Sequence, residues 1–138
     1  FQTALSLAPG DAVINGNLGN FYVARGVKTR NVDDVRASFA HFERALAVDP
    51  SLASVHNGLG GAYQVTGNTA AAIVRWEKAA ALDPDYDLPV YNLALAYLDQ
   101  GDKVKALGLF RKYLDIKGPA ISDEERREVD SLIERCRR

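Results

Sequence analysis

A set of bulky, aromatic and glycine residues returns at fixed intervals along this 138-residue chain, and that return constrains its fold more than any other feature. Leu18, Tyr22 and Gly26 reappear 41 positions on as Leu59, Tyr63 and Gly67, and 34 positions further as Leu93, Tyr97 and Gly101. Phe1, Ala4 and Pro9 follow the same two steps to Phe42, Ala45 and Pro50, then to Trp76, Ala79 and Pro84. A last step of 34 reaches Phe110, but Tyr113 and Gly118 replace the alanine and the proline. The period is therefore 34, with seven residues inserted between Gly26 and Phe42. A period in this range marks one supersecondary unit repeated along the chain, each copy relying on its neighbours to cover its apolar face.

Each unit is expected to hold two helices. Residues 12–25, 54–66 and 87–100 form the first helices, with Gly26, Gly67 and Gly101 as stops, because glycine takes the left-handed cap conformation at little steric cost. Asn68 and Asp102 stand where an N-cap accepts a bond from the next helix's free amides. Pro9, Pro50 and Pro84 close the second helices. No segment alternates with period two, so strands are not expected.

These residues resemble the tetratricopeptide repeat family. The first-helix motif is Leu18-Gly19-Tyr22, Leu59-Gly60-Tyr63 and Leu93-Ala94-Tyr97, and the second-helix motif is Ala72-Trp76-Ala79-Pro84. The resemblance implies an all-α fold, a right-handed superhelix (solenoid) of helix-turn-helix repeats with a C-terminal capping helix. It divides the chain into the second helix of a truncated repeat (1–10), a repeat with the insertion (11–50), two regular repeats (51–84 and 85–118) and the cap (119–138). Gly19, Gly60 and Ala94 let a neighbouring helix approach closely, Ser38, Ala72 and Ala106 do so from the other side, and Phe42, Trp76 and Phe110 fill the space between pairs.

The pattern changes at both ends. Phe1 to Ala8 matches only the latter half of a second helix, and the chain has no methionine, which predicts a piece of a larger protein. Gly118-Pro119 stops the last repeat helix, Ser122 and Glu125 form a capping box, and Val129, Leu132, Ile133 and Cys136 mark the apolar face of a cap helix. Cys136 is read as a small apolar member of that face, not a reactive thiol. In the insertion, Asn31 is an N-cap with Asp33 and Asp34 in the first turn. A long second helix is expected over 32–48, its stripe made by Val32, Val35, Phe39, Phe42 and Leu46, after a basic loop over 27–30.

Composition narrows the function classes. Seventeen Lys and Arg against eighteen Asp and Glu leave a net charge of -1, without the basic footprint of a nucleic-acid binder. No apolar run reaches the roughly 18 residues of a membrane span, so no membrane insertion is expected, and cytoplasm and periplasm both remain open. His41 and His56 fall on different helices with no ligand spacing around them, so no metal is expected. The Gly58, Gly60 and Gly61 cluster follows no strand and lacks phosphate-loop spacing, so no cofactor is expected either. No catalytic constellation stands out, and the chain is not read as an enzyme.

The resemblance further implies that first helices line a concave groove that takes an extended peptide or helix of a partner protein. Groove positions by this reading are Asn17, Asn20, Asn57, Gln64, Tyr91, Asn92, Leu95 and Asp99, with Gly16, Gly58 and Gly61 leaving room for another backbone. Repeats of this family that hold the acidic C-terminus of heat-shock chaperones use a basic clamp. The matching places here carry Gly16, Asn20, Gly58, Leu88 and Asn92, so that clamp is absent. The asparagine ladder of O-linked N-acetylglucosamine transferase is matched by Asn17 and Asn92, with Gly58 at the middle rung and Asn57 beside it. The expected function is a non-catalytic protein-interaction scaffold with a protein or peptide partner. The alternatives are a structural or oligomerisation spacer, with a homodimer through the groove or exposed repeat ends, and a substrate-presenting region of a larger enzyme such as a transferase. Similar bacterial arrays adjoin transferases or envelope proteins, which is analogy at the level of the fold.

Overall fold

A computed structural model describes residues 9–138, and among these every regular element is helical. In chain order they are α1 (Pro9–Thr29), α2 (Val32–Val48), α3 (Ala53–Val65), α4 (Thr69–Leu82), α5 (Asp87–Asp99), α6 (Lys103–Lys117), a 3-10 turn (Gly118–Ala120) and α7 (Asp123–Arg137). The expected helix of residues 1–8 lies outside the described residues. The chain divides into two compact units between Leu82 and Asp83. In the first, α1 pairs with α2 and α3 with α4; in the second, α5 pairs with α6, and α7 packs on α6.

The turns inside the pairs share one chemistry. Gly67 adopts φ +88, its amide donates to the Gln64 carbonyl at 3.1 Å, and the Asn68 amide donates to the Tyr63 carbonyl at 2.8 Å. Gly101 (φ +84) and Asp102 repeat both bonds, to Leu98 and Tyr97. This is the Schellman cap, which satisfies the last carbonyls of the first helix. The residue after the glycine then caps the second helix: Asn68 Oδ1 accepts from the Ala71 amide at 3.1 Å, and Asp102 Oδ1 from Lys105 at 3.2 Å.

In the first pair the same cap is present but displaced. Gly26 does not stop α1. Arg30 holds the left-handed conformation at φ +56, the Asn31 amide donates to the Gly26 carbonyl at 2.9 Å, and Asn31 Oδ1 caps α2 by accepting from Asp33 at 3.0 Å. Leu18 to Arg30 is four residues longer than Leu59 to Gly67, and Asn31 to Phe42 is three longer than Asn68 to Trp76. The seven inserted residues thus add about one turn to each helix. The basic loop expected over 27–30 is the last turn of α1 plus Arg30, because a helix continues wherever its carbonyls find partners. Gly26 serves contact instead: a methyl there would fall 2.5 Å from Val35 Cγ2. Pro9 opens α1 in its first turn, where a missing N–H costs no helical bond.

The core follows the repeat. Phe42 and Trp76 are 0% and 1% exposed in the first unit, and Phe110 is 0% exposed in the second. A methyl on Gly19 would fall 2.5 Å from the Phe42 ring, and one on Gly60 the same distance from Trp76 Cδ1, so only hydrogen at these positions allows the rings in. Ser38, Ala72 and Ala106 are fully buried, as their spacing requires. Val35, Phe42, Ala45, Val55, Leu59 and Ala62 form one cluster across α2 and α3. Val32, expected in the same stripe, is instead 44% exposed, in the turn that the insertion adds to α2.

The last helix is anchored by a substitution in the repeat pattern. Tyr113 replaces the second-helix alanine, is 5% exposed, and its hydroxyl donates to Glu125 Oε2 at 2.5 Å. Ser122 Oγ caps α7 by accepting the Glu125 amide at 3.1 Å. The Glu125 carboxylate is turned towards Tyr113 and towards Lys117, 3.6 Å away, so only the serine half of the expected capping box is formed. Val129 and Cys136 are buried on the inner face of α7, and burial pushes the Cys136 thiol up from its ordinary range.

Candidate peptide-binding surface

In the first unit the first helices α1 and α3 lie side by side. A methyl on Gly16 would fall 3.0 Å from Val55 Cγ2, which measures how closely the two helices approach. Asn17 and Asn20 on α1 and Gln64 on α3 are exposed, and Asn57 on α3 is half-buried. Val13, one turn before Asn17 and 54% exposed, extends the same side of α1 and was not among the residues expected there. Its exposure depends on which helices neighbour α1, and that is invisible in a local pattern. None of these side chains is charged at neutral pH.

The three glycines expected to open this surface behave differently. Gly58 is buried: a Cβ there would meet the Asn20 side-chain oxygen and would fall 2.6 Å from Phe42 Cζ. At the place of the ladder's middle asparagine, the side chain of Asn20 from the adjacent helix occupies the space. Gly16 is likewise used for helix contact. Only Gly61 has nothing within 4 Å of its Cβ position, and it leaves backbone accessible between Asn57 and Gln64.

The second unit presents a different set. Leu88 is 51% exposed and Asp99 is exposed, whereas Asn92 and Leu95 are half-buried. Tyr91 is drawn towards the interior of the unit, its ring centroid 5.0 Å from that of Tyr113 and 6.0 Å from that of Phe110. Burial and the acidic Glu128 and Glu125 raise its phenol above the ordinary range.

Both histidines are committed to structure. A carbonyl can only accept, so His56 Nε2 carries the proton donated to the Pro50 oxygen at 2.9 Å. A guanidinium can only donate, so Nδ1 receives Arg75 Nη1 at 3.2 Å. His56 is 4% exposed, and its burial lowers its pKa, as do the neighbouring Arg75 and Lys78. His41 stacks on Tyr22, with centroids 5.2 Å apart and planes at 7°. Among the described residues no three His, Cys, Asp or Glu side chains come together as a metal site, and no helix is long and apolar enough to cross a membrane.

The helix pairs, the aligned Schellman caps and the glycine-seated aromatics form the repeat geometry, and independent similarity agrees with it. A family model described as TPR repeat matches residues 65–101, and one described as Tetratricopeptide repeat matches residues 90–121. Residues 65–121 are thus built of tetratricopeptide repeats. Among curated relatives, this repeat chain is 27% identical over 96 residues to Superkiller protein 3 of Schizosaccharomyces pombe. That match covers 70% of the chain and 7% of the relative, so the chain spans only a small part of the relative's length. Among solved structures, the pHSP90 complex of the TPR2AB domain of yeast Sti1 matches with a TM-score of 0.78 at 16% identity, covering 99% of this chain and 50% of that one. The Yersinia enterocolitica type III secretion chaperone SycD, in complex with a peptide of the translocator YopD, matches with a TM-score of 0.70 at 17% identity. It covers 86% of this chain and 89% of that one. At these identities the structural likeness is one of fold.

Proposed function

We propose that this tetratricopeptide repeat chain is a non-catalytic protein-interaction module whose first-helix surfaces bind an extended peptide segment of a partner protein. The repeats run over 11–50, 51–84 and 85–118, with 119–138 as the cap. The observation that carries the reading is the uncharged amide surface of the first unit, with Asn17 exposed on α1 and with Asn57 and Gln64 about one turn to either side of the open Gly61 on α3. A primary amide offers a donor and an acceptor, so it pairs with a peptide unit whatever the ligand's side chains are. The solved structures add support at the level of mode, since both are complexes: with pHSP90 for the yeast domain and with a translocator peptide for SycD. Asn92, Leu95 and Asp99 of the second unit are the further positions proposed to contact such a ligand.

The test is a peptide-display selection on the chain, followed by titration of the enriched peptide. Asn17→Ala is expected to weaken binding about tenfold, within the range of one hydrogen-bonded contact. Gly61→Leu, which fills the open backbone, is expected to abolish binding, while Lys105→Ala on α6 leaves it unchanged. Unaltered binding by Asn17→Ala and Gly61→Leu together would place the peptide elsewhere.

A further inference from the structure

The second helices α2, α4 and α6 turn the same register positions outward. On α2 these are Arg36, Ala40, Glu43, Arg44 and Ala47, all exposed. A step of 34 reaches Ala70, Val74, Glu77, Lys78 and Ala81 on α4, also exposed. Both helices stand between other helices in the chain, so the exposure of this face belongs to the repeat itself. On α6 the next step reaches Val104, Gly108, Arg111, Lys112 and Asp115, and these too are exposed.

The chemistry of the face changes on α6. The first two helices carry a glutamate followed by a cation, Glu43-Arg44 and Glu77-Lys78, and their charges balance there. α6 carries Arg111-Lys112 at the same place, and Lys105 where the others have Ala37 and Ala71. Asp115 is the face's acidic residue. Among the described residues, the ion pairs leave Lys105, Arg111 and Lys112 out. The Lys105 ammonium lies 5.0 Å from the Tyr97 ring centroid, a contact that places the side chain and keeps its charge.

Gly108 is at the centre of these cations. Residues three and four positions away are neighbours on a helix surface, and those of Gly108 are Lys105, Arg111, Val104 and Lys112. A Cβ built on Gly108 meets nothing within 4 Å, so no internal packing calls for glycine. Ala40 and Val74 fill the same place on α2 and α4. Glycine inside a helix costs about 1 kcal/mol relative to alanine. What it gives here is a hollow of bare backbone, ringed by three cations and by Val104, which is 84% exposed.

We propose that the outer face of α6 is a second docking surface, where an acidic side chain of a partner protein segment enters over Gly108 and is held by Lys105, Arg111 and Lys112. A carboxylate in the hollow is within reach of all three cations, and charge-assisted bonds are the strong ones. Val104 adds apolar contact with the same segment. The chain's net charge of -1 and Asp115 on the same face disfavour a phosphate backbone, which needs a continuous cationic track.

Titration of the isotope-labelled 138-residue chain with a poly-glutamate peptide, followed by amide chemical shifts, tests this. The expected result is a saturable shift centred on Gly108 and its neighbours on α6, weakened by added salt. Arg111→Glu, which installs the residue of α2 and α4, is expected to weaken binding about tenfold. Gly108→Val, which installs the side chain of α4 and changes no charge, is expected to weaken it by about the same factor. Both positions are exposed, and the circular dichroism of α-helix is expected to be retained. Absence of shifts on α6, or shifts unaltered in Arg111→Glu, overturns the inference, and binding that survives Gly108→Val overturns the hollow as its seat. A poly-glutamine peptide or an oligothymidylate that shifts the same amides as strongly overturns the assignment to an acidic protein segment. Asn17→Ala and Gly61→Leu are expected to leave the poly-glutamate shifts in place, so failure of this surface and failure of first-helix peptide binding are separately visible.

Discussion

The side-chain oxygen of Asn20 on α1 occupies the space that a Cβ of Gly58 on α3 would need. Two helices of successive repeats are thereby keyed together by an amide laid over a glycine, with the Phe42 ring beneath it. Gly58→Ala is expected to destabilise the chain by about 1–3 kcal/mol, the usual cost of overpacking a close contact. Gly61→Ala, with open space around it, is expected to stabilise by about 0.5–1 kcal/mol through helix propensity alone. Urea denaturation of the two single variants checks the pair of opposite signs.

Arg30 occupies the left-handed position that glycine fills in the other two intrapair turns. A side chain in that conformation costs roughly 1–2 kcal/mol. Arg30→Gly is therefore expected to raise stability by about 1 kcal/mol, less the entropy glycine adds to the unfolded chain. Melting of the variant beside Gly67→Ala, which is expected to fall, measures both sides of the same conformational preference.

His56 is held neutral between the Pro50 carbonyl and Arg75. Its pKa is lowered in the fold, so between that value and the unfolded value near 6.5 the unfolded chain binds the extra proton. Its contribution is complete above about pH 6.5 and declines as pH falls towards the folded pKa, with a slope of at most about 1.4 kcal/mol per pH unit for one proton. Urea midpoints measured from pH 7.5 to 5 are expected to fall in the parent and to fall less steeply in His56→Gln.

The Tyr113 phenol is pushed well above its ordinary range by burial and by the Glu125 carboxylate that accepts its hydrogen bond. Tyr113→Phe keeps the ring and removes that bond, which is expected to cost about 1.5–3 kcal/mol as a hydrogen bond to a charged group. The loss is expected to be local. Amide exchange should accelerate in α7 while α1 to α4 keep the protection of the parent, because the bond joins α6 to α7 within the second unit.

The repeat register alone was enough to find the helix pairs, the buried aromatics and most of the caps. Phe42, Trp76 and Phe110 had to be core because the period brings each to the same place between helices, and Gly67, Asn68, Gly101 and Asp102 had to be turns because their backbone chemistry is local. Even the bounds of α2, 32–48, follow from the Asn31 cap and the apolar spacing. What sequence could not supply was every fact that depends on which helix lies opposite. Gly26 has the composition of a stop, but Asn31 offers its amide to the Gly26 carbonyl and the helix runs on to Thr29, leaving an arginine in the glycine conformation. Gly58 and Gly61 are alike in sequence and differ only in their neighbours: an amide and a ring over one, open space over the other. Tyr91 has the spacing of a surface residue and is drawn inward because Tyr113, not alanine, waits on α6. Periodicity fixes the direction in which a side chain leaves its helix; only packing between helices decides whether that direction ends in water or in another residue.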